Sequence, residues 1–73
     1  MQILASRLKA TRLERNLSQA ELAKRSEISL SGLQFYESDH SNPTAEVIAR
    51  LCIQLDISAD YLLGLNDDPT FRK

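Results

Sequence analysis

Residues 17–37 have the sequence LSQAELAKRSEISLSGLQFYE, which contains two signals for the start of a helix. Ser18 is a favourable residue before the first turn of a helix, and Glu21, three positions later, completes a capping box with it. A second start signal follows at Ser29. The pattern therefore predicts two short helices, joined by a three-residue turn with the sequence Ser26-Glu27-Ile28.

This turn is too tight for an antiparallel hairpin, so the two helices are expected to cross at a steep angle. Such a crossing requires a small residue where the backbones approach each other, and Ala23 is positioned to supply it. The first helix of this pair should end near Arg25. The second helix of the pair should end near Glu37, because residues 38–43 are a run of turn formers. The predicted core beneath the crossing consists of Leu22, Ile28, Leu33 and Tyr36.

Three further helices are predicted outside this pair, and no strand. Their expected limits are about Gln2 to Arg15, from the cap Thr44 to about Leu55, and Ser58 to Gly64. The apolar positions at helical spacing are Leu4, Leu8, Leu13 and Leu17, then Val47, Ile48, Leu51, Cys52 and Leu55, then Tyr61, Leu62 and Leu63. The expected fold class is all-α, a compact five-helix domain over residues 1–65, followed by a polar C-terminal tail at residues 66–73 that is expected to fray.

The composition excludes several classes of protein. A chain of 73 residues, with 42% apolar and 26% charged residues, is one globular domain. No apolar run approaches the length of a membrane span and no secretion signal is present, so a cytoplasmic location is expected. Cys52 is the single cysteine, which rules out an internal disulfide and a cysteine-based zinc site. No catalytic constellation or cofactor motif is visible, so we expect neither an enzyme, a metal site nor a cofactor.

The net charge of −1 is unevenly distributed along the chain. Residues 1–25 carry six cationic and two anionic side chains, a net charge of +4, whereas residues 26–73 carry three cationic and eight anionic side chains, a net charge of −5. Such a chain can present a positive face to phosphate despite its overall charge. The alternative is two solvated faces that differ in charge by chance.

The outer side of the third helix is uncharged, which is unusual for an exposed helix. If Leu33 and Tyr36 point inward, helical geometry places a different set of residues outward. That set consists of Ser29, Leu30, Ser31, Gln34 and Phe35. Gln can pair with adenine in the major groove of DNA, Ser can donate or accept, and Leu or Phe can pack on a thymine methyl group. Alternatively, Leu30 and Phe35 pack against the first helix or the following loop.

The combination of four motifs resembles the Cro/phage-repressor (xenobiotic-response-element type) helix-turn-helix family over about residues 3–65. These motifs are LSQAELAKR at 17–25, Leu33-x-x-Tyr36-Glu37, Asn42-Pro43 and ISADYLLG at 57–64. The resemblance implies a lambda-repressor-like domain that binds double-stranded DNA as a transcriptional repressor or regulator. It also implies that the third helix enters the major groove while the second crosses the sugar-phosphate backbone.

The resemblance implies a role for particular residues. It places Ser29, Leu30, Ser31 and Phe35 at base-reading positions, with Gln34 between them. It places Arg12, Ser18, Gln19 and Asn42 at phosphate-contacting positions. Arg12 and Glu37 correspond to a pair that forms a largely buried salt bridge in relatives, with Arg12 able to lean toward phosphate.

Two residues and one loop depart from this pattern or add to it. Glu27 stands where the family usually has Gly, so it is expected to adopt a strained left-handed conformation. The loop at residues 38–42 lacks the basic residues common in relatives, which weakens the expected clamp on the DNA backbone. Gly32, within the third helix, costs about 1 kcal/mol relative to Ala; it either permits a close approach to DNA or is neutral.

A homodimer on a near-palindromic operator is expected, formed either in solution or only on DNA. The expected contact lies near the fifth helix, at Ile57, Tyr61, Leu62 and Leu65, although these residues could equally belong to the core. The alternative function is a protein-interaction module that uses the uncharged Leu30/Phe35 face of the third helix.

Overall fold

Side-chain caps set the starts of four helices in the computed structural model, which describes residues 1–70. Ser18, Ser29, Thr44 and Ser58 each have extended backbone, and each side-chain oxygen accepts a hydrogen bond from the backbone N–H three residues later. These bonds satisfy amides that have no partner within the helix. The helices are α1 (Gln2–Glu14), α2 (Gln19–Ser26), α3 (Leu30–Glu37), α4 (Ala45–Leu55) and α5 (Ala59–Leu62). The predicted all-α fold with five helices is confirmed within the described residues.

A left-handed residue follows every one of these five helices. Asn16, Glu27, Asp39 and Asp56 have φ between 56° and 62°, and Gly64 has φ of 83°. A left-handed residue turns the chain sharply out of the helix, so that backbone N–H groups can bond to the last carbonyls. Asn and Asp tolerate this conformation better than other side chains do, whereas Glu does not share that advantage. Glu27 has φ of 57°, so it adopts the left-handed conformation predicted for it.

The core is aliphatic and lies between all five helices. Its central side chains are at most 1% exposed: Leu4, Leu8, Leu22, Leu33, Leu51, Leu55, Ile57 and Leu62. Ala23, 3% exposed, lies where α2 meets its neighbours, as the sequence predicts for a small residue at a close crossing. Burial raises the pKa of the Cys52 thiol to about 11, so the thiol stays protonated at neutral pH and packs as a small apolar group.

The structure overturns one placement made from the sequence and decides between two alternatives for another. Leu13 was predicted to extend the apolar side of the first helix, but 55% of its surface is exposed; only Leu17, beyond the helix, joins the core. The sequence assigned Ile57 and Leu62 either to a dimer contact or to the core, and both are buried in the core of one chain. Their spacing was compatible with either position, and both side chains pack in the core cluster.

Residues 66–70 of the predicted tail fold back along α5. The backbone N–H of Ser58 donates to the carbonyl of Pro69 at 2.8 Å. Arg7 of α1 stacks over the ring of Tyr61, with 4.2 Å from its guanidinium carbon to the ring centroid, and donates to the carbonyl of Asn66 at 2.9 Å. Residues 71–73 of the predicted tail lie outside the described residues.

The strain at Glu27 gives a first prediction. Glu27→Gly should raise the free energy of unfolding by about 0.5–1 kcal/mol. Glycine removes the steric strain of a left-handed residue that carries a Cβ atom, and this gain should exceed the entropic cost of ordering glycine. Chemical denaturation measures the difference. Glu27→Gln is the matched control, since it removes the same charge but keeps Cβ. Equal stability of the two variants would show that the turn stores no strain.

Candidate nucleic-acid interface

The outer face of α3 consists of Ser29, Leu30, Ser31, Gln34 and Phe35, and all five side chains are exposed. Leu30 is 43% exposed and Phe35 is 54% exposed, so neither packs into the core. The ring of Phe35 does approach the loop after α3, with 6.2 Å between its centroid and that of His40. The structure thus presents a polar and apolar surface without charge, one helix long.

The N-terminus of α2 lies beside this face, since the side chain of Gln19, the first residue of α2, accepts a hydrogen bond from Gln34 at 3.5 Å. Ser18 forms the complete capping box, with 3.0 Å from the Glu21 amide to its hydroxyl and 3.0 Å from its own amide to the Glu21 carboxylate. These bonds from the Ser18 backbone and side chain lower the pKa of Glu21. A helix N-terminus with amides directed at solvent favours an anion such as phosphate.

A chain of side-chain hydrogen bonds joins this N-terminus to the outer face of α3. Arg12 donates twice to the carboxylate of Glu37, at 2.7 and 3.0 Å. The amide of Gln19 donates to the same carboxylate at 3.1 Å, and the amide of Gln34 donates to Gln19 at 3.5 Å. Gln19 and Gln34 are therefore held side by side, although no local sequence signal relates two residues that lie 15 positions apart.

Arg12 is buried rather than directed at solvent. Its side chain is 8% exposed and that of Glu37 is 3% exposed. Besides the two bonds to Glu37, Arg12 donates to the carbonyl of Leu17 at 2.8 Å. All three guanidinium nitrogens thus donate within the domain. In this arrangement Arg12 faces Glu37 and Leu17 rather than solvent, and its contact with phosphate stays a prediction.

The loop after α3 is fixed by contacts that the sequence did not reveal. The hydroxyl of Ser38 lies 2.8 Å from Nδ1 of His40, and the backbone N–H of His40 donates to the carbonyl of Phe35 at 2.9 Å. The α-ammonium group of Met1 donates to the side chains of Asp39, at 3.0 Å, and Asn42. Asn42 is exposed, and its side-chain oxygen is the atom that accepts this bond.

The positive face is smaller than the sequence suggested. Of the six cationic residues in positions 1–25, Arg7, Arg12 and Arg15 donate to groups of the domain itself. Arg15 donates to the carbonyl of Leu55, at the C-terminus of α4, where a cation is favourable. The exposed cationic side chains outside these contacts in positions 1–25 are Lys9, Lys24 and Arg25.

Gly32 has a role in capping α3. A Cβ atom placed on Gly32 would lie 2.8 Å from the hydroxyl oxygen of Ser29, which accepts the bond from the Gly32 amide. The other three capped helices keep the same bond with a residue that carries a Cβ atom, so the cap itself does not require glycine. The two alternatives for Gly32, a close approach to DNA or a neutral choice, both remain predictions.

Two other kinds of site were sought in residues 1–70. This part of the chain contains no group of His, Cys, Asp or Glu side chains that could hold a metal ion. It also contains no helix that is long and apolar enough to cross a membrane.

The fold and the arrangement of α2 and α3 agree with comparisons to known proteins. A family model described as Helix-turn-helix matches residues 8–62. The chain belongs to this family, in its Cro/phage-repressor type. A curated relative, the uncharacterized HTH-type transcriptional regulator YobD of Bacillus subtilis, is 35% identical over 63 residues, which are 86% of this chain and 56% of YobD. The chain thus spans about half the length of the curated relatives it matches.

Solved structures show the same fold. The N-terminal DNA-binding domain of SinR from Bacillus subtilis has a TM-score of 0.83 and 28% identity, covering 86% of this chain and 93% of that one. The P22 c2 repressor protein, solved in complex with a synthetic operator, has a TM-score of 0.80 and 29% identity, covering 85% and 94%. The predicted lambda-repressor-like architecture and family are confirmed.

The buried pair gives a second prediction. Arg12→Met or Glu37→Leu alone should lower the free energy of unfolding by about 3–5 kcal/mol, because each leaves a buried charge without its partner. The double variant should lose much less, because it leaves neither charge behind. A double-mutant cycle by chemical denaturation measures the coupling. Additive losses would show that the two side chains do not stabilise each other.

Proposed function

We propose that this domain binds double-stranded DNA in a sequence-specific manner, as the DNA-binding part of a transcriptional regulator. The observation that carries the proposal is the coupling of two surfaces. Gln19, beside the amides of the α2 N-terminus, lies within 3.5 Å of Gln34 on the uncharged outer face of α3. A phosphate-binding element and a base-reading element held in one fixed relation are what recognition of a duplex requires.

In the proposed complex α3 enters the major groove and α2 lies across the sugar-phosphate backbone. The outer face of α3 meets base edges. Ser18, Gln19 and the first amides of α2 meet a phosphate, with Glu37 and Arg12 holding Gln19 from beneath. Asn42 contacts a second phosphate through its amide NH₂ group, since its oxygen accepts the bond from Met1.

The relatives support this function over a protein-interaction module. YobD is named a transcriptional regulator, and SinR and the P22 c2 repressor have both been solved with DNA. A surface for docking another protein helix would not need the polar link between Gln19 and Gln34. We propose repression as the mode of action and, because the proposed ligand is DNA, the cytoplasm as the location.

We further propose that two copies bind one near-palindromic operator. One α3 covers only a few base pairs, too few to specify a genomic site. The contact is proposed around Leu65, which is 76% exposed, and Ile3, which is 40% exposed and whose side chain lies over Gly64. Because Ile57 and Leu62 are buried in the core, the exposed apolar patch is small. Such a small contact favours a dimer that forms only when both copies are bound to DNA.

A salt titration tests DNA binding. The logarithm of the binding constant should fall with the logarithm of salt concentration, with a slope of about −0.9 for each phosphate neutralised. The inward-facing Arg12 predicts a shallower slope than a count of cations would give. Gln34→Ala should keep the slope on random duplex but lose preference for a selected site, by about 1–3 kcal/mol. Binding that is independent of salt would contradict the proposal.

Sedimentation and footprinting test the dimer. The complex should contain two chains per duplex, on two half-sites centred about 10–10.5 base pairs apart. Leu65→Glu should bind a half-site normally but should no longer bind the full site cooperatively, because two carboxylates would face each other across the contact. Ile53→Glu, at an exposed apolar residue of α4, is the matched control. One chain per duplex at saturation, on a site without symmetry, would contradict dimeric binding and leave DNA binding intact.

A further inference from the structure

The chemistry of the outer face of α3 limits which bases it can read. Guanine is most often recognised by Arg or Lys, which donate to its O6 and N7 atoms, and cytosine by a carboxylate that accepts from its amino group. α3 contains no Lys or Arg. Its one carboxylate, Glu37, is 3% exposed in the side chain and bonded to Arg12. The face therefore lacks the usual partners of a G·C pair.

The same face is well supplied with partners for an A·T pair. Gln34 has an amide that can donate to N7 and accept from the amino group of adenine, and it is exposed. Leu30 and Phe35 expose 43% and 54% of their surfaces. Water-exposed apolar side chains gain free energy when they meet another apolar group, and the one apolar group on the floor of the major groove is the thymine methyl.

The structure also fixes where these side chains can reach. Phe35 is held at the loop end of α3, where its carbonyl accepts from the amide of His40 at 2.9 Å and its ring lies beside the ring of His40. Leu30 lies at the opposite end of the helix, about 7.5 Å away along the axis at about 1.5 Å per residue. The two apolar groups therefore flank Gln34 and Ser31 and cover different base pairs.

We propose that each half-site of the operator is read mainly as A·T pairs, with thymine methyl groups packed against Leu30 and Phe35 and an adenine paired with Gln34. This inference rests on the proposed function. It goes further by naming the bases, and by assigning to Phe35 and Leu30 the discrimination that charged side chains supply at guanine-rich sites.

The test isolates single methyl groups. A half-site is first selected from random duplexes, and each thymine is then replaced in turn by deoxyuridine, which differs only by the missing 5-methyl group. At two positions of each half-site the replacement should weaken binding by about fourfold, the effect of one buried methyl group. The selected half-site should carry A·T pairs at these positions and at the pair between them.

A double-mutant cycle then assigns each methyl group to a side chain. In Phe35→Ala, thymine and uracil should bind equally at one of the two positions and keep their difference at the other. Leu30→Ala should show the reverse. Ile53→Ala, at a side chain 67% exposed on α4, should keep both differences and serves as the matched control.

Failure of the inference is distinct from failure of the proposed function. Selected half-sites rich in G·C pairs, or bound equally well with uracil at every position, would overturn the reading of thymine methyl groups while leaving DNA binding established. The same holds if the difference between thymine and uracil persists unchanged in both alanine variants. Absence of salt-dependent binding to any duplex would instead refute DNA binding itself.

Discussion

The burial of Arg12 and Glu37 constrains the arrangement of α1, α2 and α3, because each buried charge requires the other as a partner. Both side chains are nearly removed from solvent, and desolvation of two charges is costly unless each finds several partners. Arg12 meets this condition with three nitrogens bonded, to Glu37 and to the carbonyl of Leu17. One residue of α1 thereby fixes both the last residue of α3 and the chain just before α2.

The second consequence of this pair is at the surface. The carboxylate of Glu37 also accepts from Gln19, and Gln19 accepts from Gln34. A side chain at the start of α2 and one in the middle of α3 are therefore positioned from the interior rather than left to solvent. Preorganised polar groups lose less conformational entropy on binding, so a small domain can place a helix in a groove with few direct contacts.

Charge in this domain is divided between folding and recognition. Arg7 and Arg15 donate to backbone carbonyls at the ends of α5 and α4. A count of basic residues would have assigned both arginines to DNA binding. Within residues 1–70 few other cationic side chains are exposed, and the outer face of α3 is neutral. In the proposed complex, hydrogen bonds and apolar contacts from this neutral face would select the bases, while contacts with phosphate would supply affinity.

Local sequence patterns were enough to predict the helices, their starts and the position of the turn. Caps, capping boxes and apolar spacing act over a few residues, so Ser18, Ser29 and Thr44 could be recognised without any tertiary information. The left-handed conformation of Glu27 was also foreseeable from the resemblance, because the family usually has glycine there. The candidate site followed once Leu33 was placed inward, since the opposite side of a helix is then fixed by geometry.

For several residues only the packing of the helices determined whether the side chain lies in the core or at the surface. Leu13 lies at helical spacing from the core yet is exposed, while Ile57 and Leu62 could have formed an interface yet are buried. Arg12 could have pointed outward, and the contact of Gln19 with Gln34 joins positions 15 residues apart. In each case the outcome depends on how helices distant in sequence pack together. The spacing of residues within one helix does not predict where a neighbouring helix will lie.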